Sequence, residues 1–308
     1  MKATVLSGGV GGARFLRGIV AVVGERNVSI IGNTGDDIEV LGLHVSPDLD
    51  SVLYALAGLS DEERGWGRAD ETWNALASVS DLGGETWFRL GDRDIGLHLV
   101  RTELLRAGAP LSEATARIAG ALGLRCSLLP ATDDPLRTFV ETPVGTFAFQ
   151  EWFVARGHRD EVTALHYTGA HAAVAGPGVL EAIEEADVIV IAPSNPYVSI
   201  GPILAVDGIR EALARRRAPC VAVSPLIGGR AIKGPADRML SRLAGGRGPT
   251  AVASCYPGLI DALVIDEADA GDELPVGVRA VVARTLMVDD NARRRLAHAV
   301  LDAASAVA

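Results

Sequence analysis

The sequence predicts an α/β protein: a three-layer, doubly wound, mainly parallel sheet of the Rossmann-like type that carries an inserted, smaller α+β region. Apolar segments of strand length alternate with helical patterns along most of the 308 residues, as expected when helices cover both faces of a parallel sheet. The segment 186–192 (ADVIVIA) is continuously apolar, which is typical of a central strand. Several segments end in glycine-, serine- or aspartate-bearing loops, where open α/β sheets bind ligands.

The individual elements follow from the same periodicities. Strands are predicted at residues 3–7, 28–31, 187–192, 219–223, 250–254, 262–265 and 279–283. Helices are predicted at residues 49–59, 94–107, 112–122, 201–215, 234–244 and 290–307. Residues 137–154 instead indicate a β-hairpin that turns at residues 142–145. We therefore predict a nucleotide-binding core over residues 1–65 and 176–308, with the inserted region over residues 66–175.

Charge and composition exclude several classes of function. The net charge of −10 argues against non-specific binding to nucleic acid or to anionic membranes. No apolar segment reaches the ~18 residues of a transmembrane helix. The 3 cysteines are scattered and lack the spacing of a zinc site or a disulfide framework. We therefore expect a cytoplasmic protein without nucleic-acid or membrane partners.

The first candidate site is the glycine loop that follows the first predicted strand. Its glycines, which let backbone N–H groups approach an anion at a helix N-terminus, are Gly8, Gly9, Gly11 and Gly12. The loop is neither a dinucleotide fingerprint, since Arg14 stands where the third glycine belongs, nor a Walker loop. Arg14 places a cation in the first helical turn, where the helix dipole disfavours it, and a phosphate would resolve that conflict. An ordinary tight βα turn remains the alternative.

Acidic residues form the second candidate site. Asp36 and Asp37 follow the second predicted strand, and Asp48 and Asp50 open the next helix. Helix capping would explain either of the latter two alone. Crowded carboxylates repel one another, so a shared cation is the economical explanation, and we expect at least one of the four to contact metal or substrate.

Two further loops carry polar side chains suited to ligand binding. Ser194 and Asn195 follow the central strand, and Ser199 is a candidate N-cap of the next helix. Arg93 stands between Asp92 and Asp94 in the segment 90–94. It either pairs with those aspartates as part of a turn or presents its guanidinium to a polar ligand.

Taken in order, these motifs resemble the CofD family, the 2-phospho-L-lactate transferases, which are called FbiA in actinobacteria. The resemblance extends from residue 1 to about residue 267 and rests on the segments 7–14, 33–37, 46–50, 90–94, 193–196 and 224–225. It implies a Mg²⁺-dependent step in the synthesis of coenzyme F-420. A phosphorylated three-carbon acid passes from its guanosine diphosphate conjugate to the terminal ribityl hydroxyl of the deazaflavin alcohol Fo, and GMP is released.

The resemblance also implies partners and a donor. A guanylyltransferase would supply the guanosine diphosphate conjugate, and the protein would be a homodimer. The acid is 2-phospholactate in archaea and phosphoenolpyruvate in actinobacteria. The Ala-, Arg- and Gly-rich composition favours phosphoenolpyruvate, but no loop motif separates the two.

Roles for single residues follow from the same resemblance. The glycines of the first loop and Arg14 would bind the diphosphate. Mg²⁺ would be held by Asp36, Asp37, Asp48 and Asp50. Of these, Asp37, Asp48 and Asp50 are the candidate catalytic residues, with Asp50 as the base. Fo would contact Asp50 and Arg93, with a contribution from the inserted region. Guanosine or its phosphate would be reached by Asn33, Ser194, Asn195 and Ser199.

Two other functions were weighed against the transferase. A nucleotide-sugar-binding regulator of the gluconeogenesis-factor type shares the glycine loop and the Asn-Thr-x-Asp-Asp region. The segment 90–94 and the extended middle region favour the transferase. An NAD-dependent oxidoreductase is opposed by the missing third glycine.

Overall fold

The computed structural model describes residues 1–308. Its strands are β1 Ala3–Ser7, β2 Val28–Gly32, β3 Ile38–Val40, β4 Leu43–Val45, β5 Ser127–Pro130, β6 Arg137–Thr142, β7 Gly145–Ala148, β8 Ala164–Thr168, β9 Val188–Ile191, β10 Cys220–Val223, β11 Leu226–Ile227, β12 Arg230–Ala231, β13 Ala262–Asp266 and β14 Arg279–Ala283. Its α-helices are α1 Gly9–Val23, α2 Pro47–Leu56, α3 Asn74–Asp81, α4 Asp92–Arg106, α5 Leu111–Ala121, α6 Val179–Glu184, α7 Gly201–Ala205, α8 Ile209–Arg215, α9 Ala236–Leu243, α10 Pro249–Ala253 and α11 Asp290–Ser305.

The central sheet has seven strands in the order β14-β13-β10-β9-β1-β2-β5. Every pairing in it is parallel, so Val5 of β1 lies opposite Ile30 on one side and Val190 on the other. From β1 the chain builds β2 and β5 in one direction, and β9, β10, β13 and β14 in the other. The strand order therefore switches between β1 and β9, and the predicted fold class is confirmed.

Two apolar clusters cover the faces of this sheet. One contains 31 buried residues from the sheet and from α1, α2, α4, α5 and α11. The other contains 28, from the sheet and from α6 to α10. The continuously apolar strands are explained by this double coverage. No helix combines the length and the apolar character needed to cross a membrane.

Three sequence predictions need correction. Residues 250–254, predicted as a strand, form α10, because Pro249 starts a helix and a short apolar run suits a buried helix equally well. The helix predicted over 201–215 is broken into α7 and α8 at Gly208, whose φ is 82°. The range 66–175 is not a separate unit throughout, since β5 pairs with β2 in the central sheet.

The rest of the middle region does form a smaller sheet. The hairpin predicted between residues 137 and 154 is present as β6 and β7, and β8 completes a three-stranded antiparallel sheet. A third apolar cluster joins this sheet and the π-helical turn Glu151–Ala155 to Val198 and Met239. The small sheet is thereby held against the loop that follows β9.

Candidate active site

A cavity of 650 Å³ opens at the carboxyl ends of β1 and β9, where the strand order switches. Loops from distant parts of the chain line it, and they include residues 8–11, 65–67, 87–89, 193–195, 224–225 and 232–236. Open α/β sheets bind ligands at this position. The convergence of strand-end loops predicted from the sequence is therefore present.

Close packing explains the glycine loop. A Cβ atom on Gly8 would come within 2.6 Å of Asp48 Oδ2, one on Gly11 within 2.7 Å of the Pro193 carbonyl oxygen, and one on Gly12 within 2.4 Å of Ser7 Oγ. Gly9 has a φ of 68°, and its N–H donates to Asp48 Oδ1 at 2.7 Å. Gly8, Gly9 and Gly11 line the cavity, whereas Gly12 packs behind them. The N-terminus of α1, where the N–H of Gly9 is already paired with Asp48, therefore faces the cavity.

Asp36 and Asp48 are buried and line the same cavity. Burial raises the pKa of Asp48 to about 6, although hydrogen bonds from Asn33 and Gly9 lower it. Burial and the charge of Asp48 raise the pKa of Asp36 well above its ordinary value. Asp36 Oδ1 has no hydrogen-bond partner. Two buried, mutually repelling carboxylates favour a bound cation.

The predicted four-aspartate metal site does not form as a unit. No group of three or more His, Cys, Asp or Glu side chains is arranged to hold a metal ion. Mg²⁺ commonly takes one or two carboxylates and completes its shell with substrate phosphates and water. Asp36 and Asp48 could supply these one or two carboxylates, since Asp36 Oδ1 is buried without a hydrogen-bond partner.

The other two aspartates contact cationic or hydroxyl side chains of the protein. Asp50 is held by both terminal nitrogens of the buried Arg101, one of them at 3.1 Å. Asp37 Oδ2 accepts from His44 Nε2 at 2.9 Å and from Ser46 Oγ at 2.8 Å. Asp37 does not line the cavity, whereas Asp50 does. One oxygen of the Asp37 carboxylate joins the β3–β4 hairpin to the start of α2, and the other, Oδ1, is buried without a hydrogen-bond partner. The catalytic role of Asp37 stays a prediction.

A buried polar network surrounds Asp50. Tyr54 on α2 donates to Asp94 on α4, and His98 Nε2 lies 3.3 Å from Asp94 Oδ1. Burial opposes ionisation of Asp94, but the hydrogen bonds and charges of His98, Tyr54 and Arg101 outweigh it and lower the pKa. Tyr54, Asp94 and His98 line the cavity with Asp50. Sequence reasoning missed this network, although residues 94, 98 and 101 share one helix face by their spacing.

Arg93 does not contribute to the cavity. Its side chain is exposed, and its N–H donates to Glu71 Oε2 at 2.9 Å. Because α4 begins at Asp92 and successive helical residues are rotated by about 100°, Asp94 turns inwards while Arg93 turns outwards. A different arginine, Arg89, lines the cavity and stacks 4.4 Å from the Trp73 ring.

The polar residues that were predicted to bind guanosine form hydrogen bonds between loops of the protein. Asn33 donates to Asp48 Oδ2 and to the Val198 carbonyl, accepts from Gly35, and does not line the cavity, so its predicted ligand role is not supported. Three others line the cavity, namely Ser194, Asn195 and Ser199.

The detailed contacts of these three residues differ from the prediction. Ser194 Oγ donates to the Gly8 carbonyl at 2.7 Å, which ties the β9 loop to the glycine loop. Ser199, predicted to cap the next helix, does not do so, because the N-cap of α7 is Ile200, while Asn195 caps the preceding π-helical turn Pro196–Ile200.

Cationic and aromatic side chains make up the rest of the cavity lining. Arg14 and Lys233 line the cavity beside residues 65–67. Aromatic rings also line it, among them Trp66, the edge-to-face pair of Trp87 and Phe88, and the stack of Phe149, Phe153 and His158. Apart from Arg14, sequence reasoning assigned none of these to the site, because they come from loops without a motif.

A doubly wound sheet with an anion-binding helix N-terminus and buried carboxylates at its switch point defines an α/β enzyme acting on phosphorylated ligands. The profile of the CofD family, described as 2-phospho-L-lactate transferase CofD, matches residues 3–305. The chain belongs to the CofD family. It is a transferase of coenzyme F-420 biosynthesis, as the resemblance implied.

Similar proteins cover the full length of the chain. A phosphoenolpyruvate transferase from Kitasatospora aureofaciens is 46% identical and covers 100% of this chain and 99% of its own. Those from Streptomyces griseus and Mycobacterium tuberculosis are 44% and 40% identical, with 99% and 100% of their lengths matched. A solved UPF0052-family protein from Bacillus halodurans has a TM-score of 0.63 at 20% identity over 98% of this chain and 100% of its own, a likeness of fold alone.

Proposed function

We propose that the protein transfers phosphoenolpyruvate from its guanosine diphosphate conjugate to the terminal ribityl hydroxyl of Fo, with Mg²⁺, and releases GMP. The observation that carries this proposal is the meeting of the α1 N-terminus, the Asp36–Asp48 pair and an aromatic wall in one cavity. Relatives named phosphoenolpyruvate transferase favour that acid over 2-phospho-L-lactate.

The donor diphosphate would lie at the glycine loop. Backbone N–H groups of α1 and the Arg14 guanidinium offer positive charge to it. Asp36 and Asp48 would hold Mg²⁺, which would neutralise negative charge on the diphosphate when bound. Phosphoryl transfer depends mainly on such positioning and charge stabilisation.

The acceptor would lie against the wall that Trp66, Trp87 and Phe88 contribute. Flat aromatic rings stack favourably on such side chains, and Asp50 and His98 line the same cavity. The acceptor hydroxyl oxygen bonds to the phosphorus of the phosphorylated acid, and the bond from that phosphorus to the bridging oxygen breaks. GMP leaves with the electron pair, and the hydroxyl proton passes to Asp50, which Arg101 orients. The upstream guanylyltransferase and a homodimer remain predictions.

Binding measurements separate this function from the nucleotide-sugar-binding regulator. Purified protein is dialysed against Fo in one arm and against a uridine diphosphate sugar in another. Retention of fluorescent Fo, strengthened by GDP and Mg²⁺, is expected for the transferase. Tight binding of the nucleotide sugar without retention of Fo would favour the regulator.

A further inference from the structure

The chain almost never uses lysine. Of its 29 basic residues only two are lysines, Lys2 and Lys233, and all the others are arginines. Lys2 precedes β1 at the end of the sheet remote from the glycine loop and forms an exposed ion pair with Glu185. Lys233 lines the cavity. Lysine offers a compact ammonium on a flexible stem, whereas arginine offers a planar fork, so the two are not equivalent at a binding site.

Lys233 lacks a carboxylate partner. It forms no ion pair, and its one hydrogen bond is a long contact of 3.4 Å from Nζ to the Gly65 carbonyl. Burial, and then the charge of Arg14, lower the pKa of Lys233. Lys233 is exposed at the edge of the cavity, and no carboxylate pairs with its ammonium.

Arg14 is in a similar position. A point beside Gly65, where a Cβ would stand, is 1.7 Å from Lys233 Nζ and 3.5 Å from Arg14 Nη2, so the two cations are close. The nearest carboxylate to Arg14 is Glu62 at 3.9 Å, and Glu62 already binds Arg17 and Arg293 at shorter distances. Two neighbouring cations that repel each other are stabilised by an anion between them.

We propose that Lys233 is a substrate-binding residue that, together with Arg14 and the N-terminus of α1, binds a phosphate of the donor's diphosphate. The inference rests on the proposed function and extends it to a loop, residues 232–236, that no motif marks. The flexible stem lets the ammonium follow the phosphate as GMP separates, whereas a planar guanidinium would need to reorient. Lys233 would exchange its contact with Gly65 for the phosphate.

Amine acetylation tests binding without relying on turnover. The protein is treated with an acetylating ester, with or without saturating GDP, and peptide mapping compares the rate at Lys233 with the rate at Lys2. GDP is expected to slow acetylation of Lys233 by about tenfold, as for a group engaged in a charge-assisted hydrogen bond, and to leave Lys2 unchanged. Equal rates at Lys233 with and without bound GDP would overturn the proposal. Protection by phosphoenolpyruvate alone, and not by GDP, would overturn its assignment to the diphosphate.

Kinetics provide the second arm. Lys233→Met should raise the donor KM about tenfold or more, the loss expected for one hydrogen bond to a charged group, while the melting temperature stays unchanged. Lys233→Arg keeps the positive charge and should recover only part of the lost donor affinity. Lys2→Met is the matched control and should show normal kinetics. A normal donor KM in Lys233→Met would contradict the inference while leaving the transferase intact. Absence of product from the wild type would instead contradict the proposed function, and GDP protection would still report on Lys233.

Discussion

Asp36, a proposed Mg²⁺ ligand, lies in surroundings that lower the stability of the folded protein when it is ionised. Its carboxylate is buried beside Asp48, and one of its oxygens has no hydrogen-bond partner. Such an arrangement disfavours the folded state when both groups are ionised. A bound cation would relieve the repulsion, so the free protein is expected to be strained at this point.

Asp36→Asn should stabilise the Mg²⁺-free protein at pH values above the ordinary aspartate pKa and abolish most activity. Because the folded-state pKa of Asp36 is raised, the wild type loses stability as pH rises from the ordinary aspartate range through that pKa. The asparagine carries no such penalty, so its advantage in melting temperature should grow with pH and vanish in acid. Turnover should fall by about 100-fold.

Thermal melts between pH 4 and pH 8, each with and without Mg²⁺ plus GDP, check this. Added ligand should raise the melting temperature of the wild type more than that of the variant. A variant that is less stable than the wild type at pH 8 without Mg²⁺ would contradict the account of Asp36.

Helix α4 shows what a single element contributes. Its inward face carries Asp94, His98 and Arg101, and Arg101 reaches across to Asp50 on α2. Both side chains of this ion pair, Asp50 and Arg101, are buried. Breaking such a pair leaves an uncompensated charge, which is more costly than removing the pair as a whole.

Arg101→Met should therefore destabilise the protein by about 3–5 kcal/mol. Arg93→Met is the matched control, since it lies on the exposed side of the same helix and should change stability by less than about 0.5 kcal/mol with near-normal activity. Urea unfolding of both variants measures the difference. Equal stability of the two variants would refute the role given to the ion pair. A large loss of Fo affinity in Arg93→Met would instead support the predicted contact between Arg93 and Fo.

Features that contiguous residues encode were predicted from the sequence, whereas features that depend on distant parts of the chain were not. Gly8, Gly9, Gly11 and Asp48 line the cavity because a strand end and a helix start are encoded by contiguous residues, while their ligand roles stay predictions. Arg93 was assigned in place of Asp94 because the inward face depends on where α4 begins, which the motif does not encode. The strand β5 was missed because its four residues end in a proline and gain their place by pairing with β2.

Across the whole molecule, the C-terminal helix is connected to the cavity. Glu62 accepts from Arg293 on α11 at 2.8 Å and from Arg17 on α1. It belongs to the loop of residues 60–68, closed by a bridge between Ser60 and Arg68, which places Gly65 and Trp66 on the cavity wall. A helix without any recognised motif thus positions part of the proposed acceptor wall.

Arg293→Met should loosen this loop and raise the KM for Fo several-fold, with a smaller effect on kcat. The reason is that Trp66 on the wall is misplaced, while the N-terminus of α1 and the Asp36–Asp48 pair do not depend on this loop. Steady-state kinetics, with the rate of tryptic cleavage at Arg64 and Arg68 as a second readout, measure the effect. The neighbouring Arg294→Met, an exposed residue, is the control, and identical behaviour of the two variants would refute the connection.

The most direct test of the central claim is product formation by the purified protein. Reactions contain Fo, Mg²⁺, GTP and a guanylyltransferase, with either phosphoenolpyruvate or 2-phospho-L-lactate, and products are identified by mass. We expect Fo carrying a phosphoenolpyruvyl group, with one GMP released for each product molecule. Absence of product with either acid, from protein that binds GDP, would contradict the assignment.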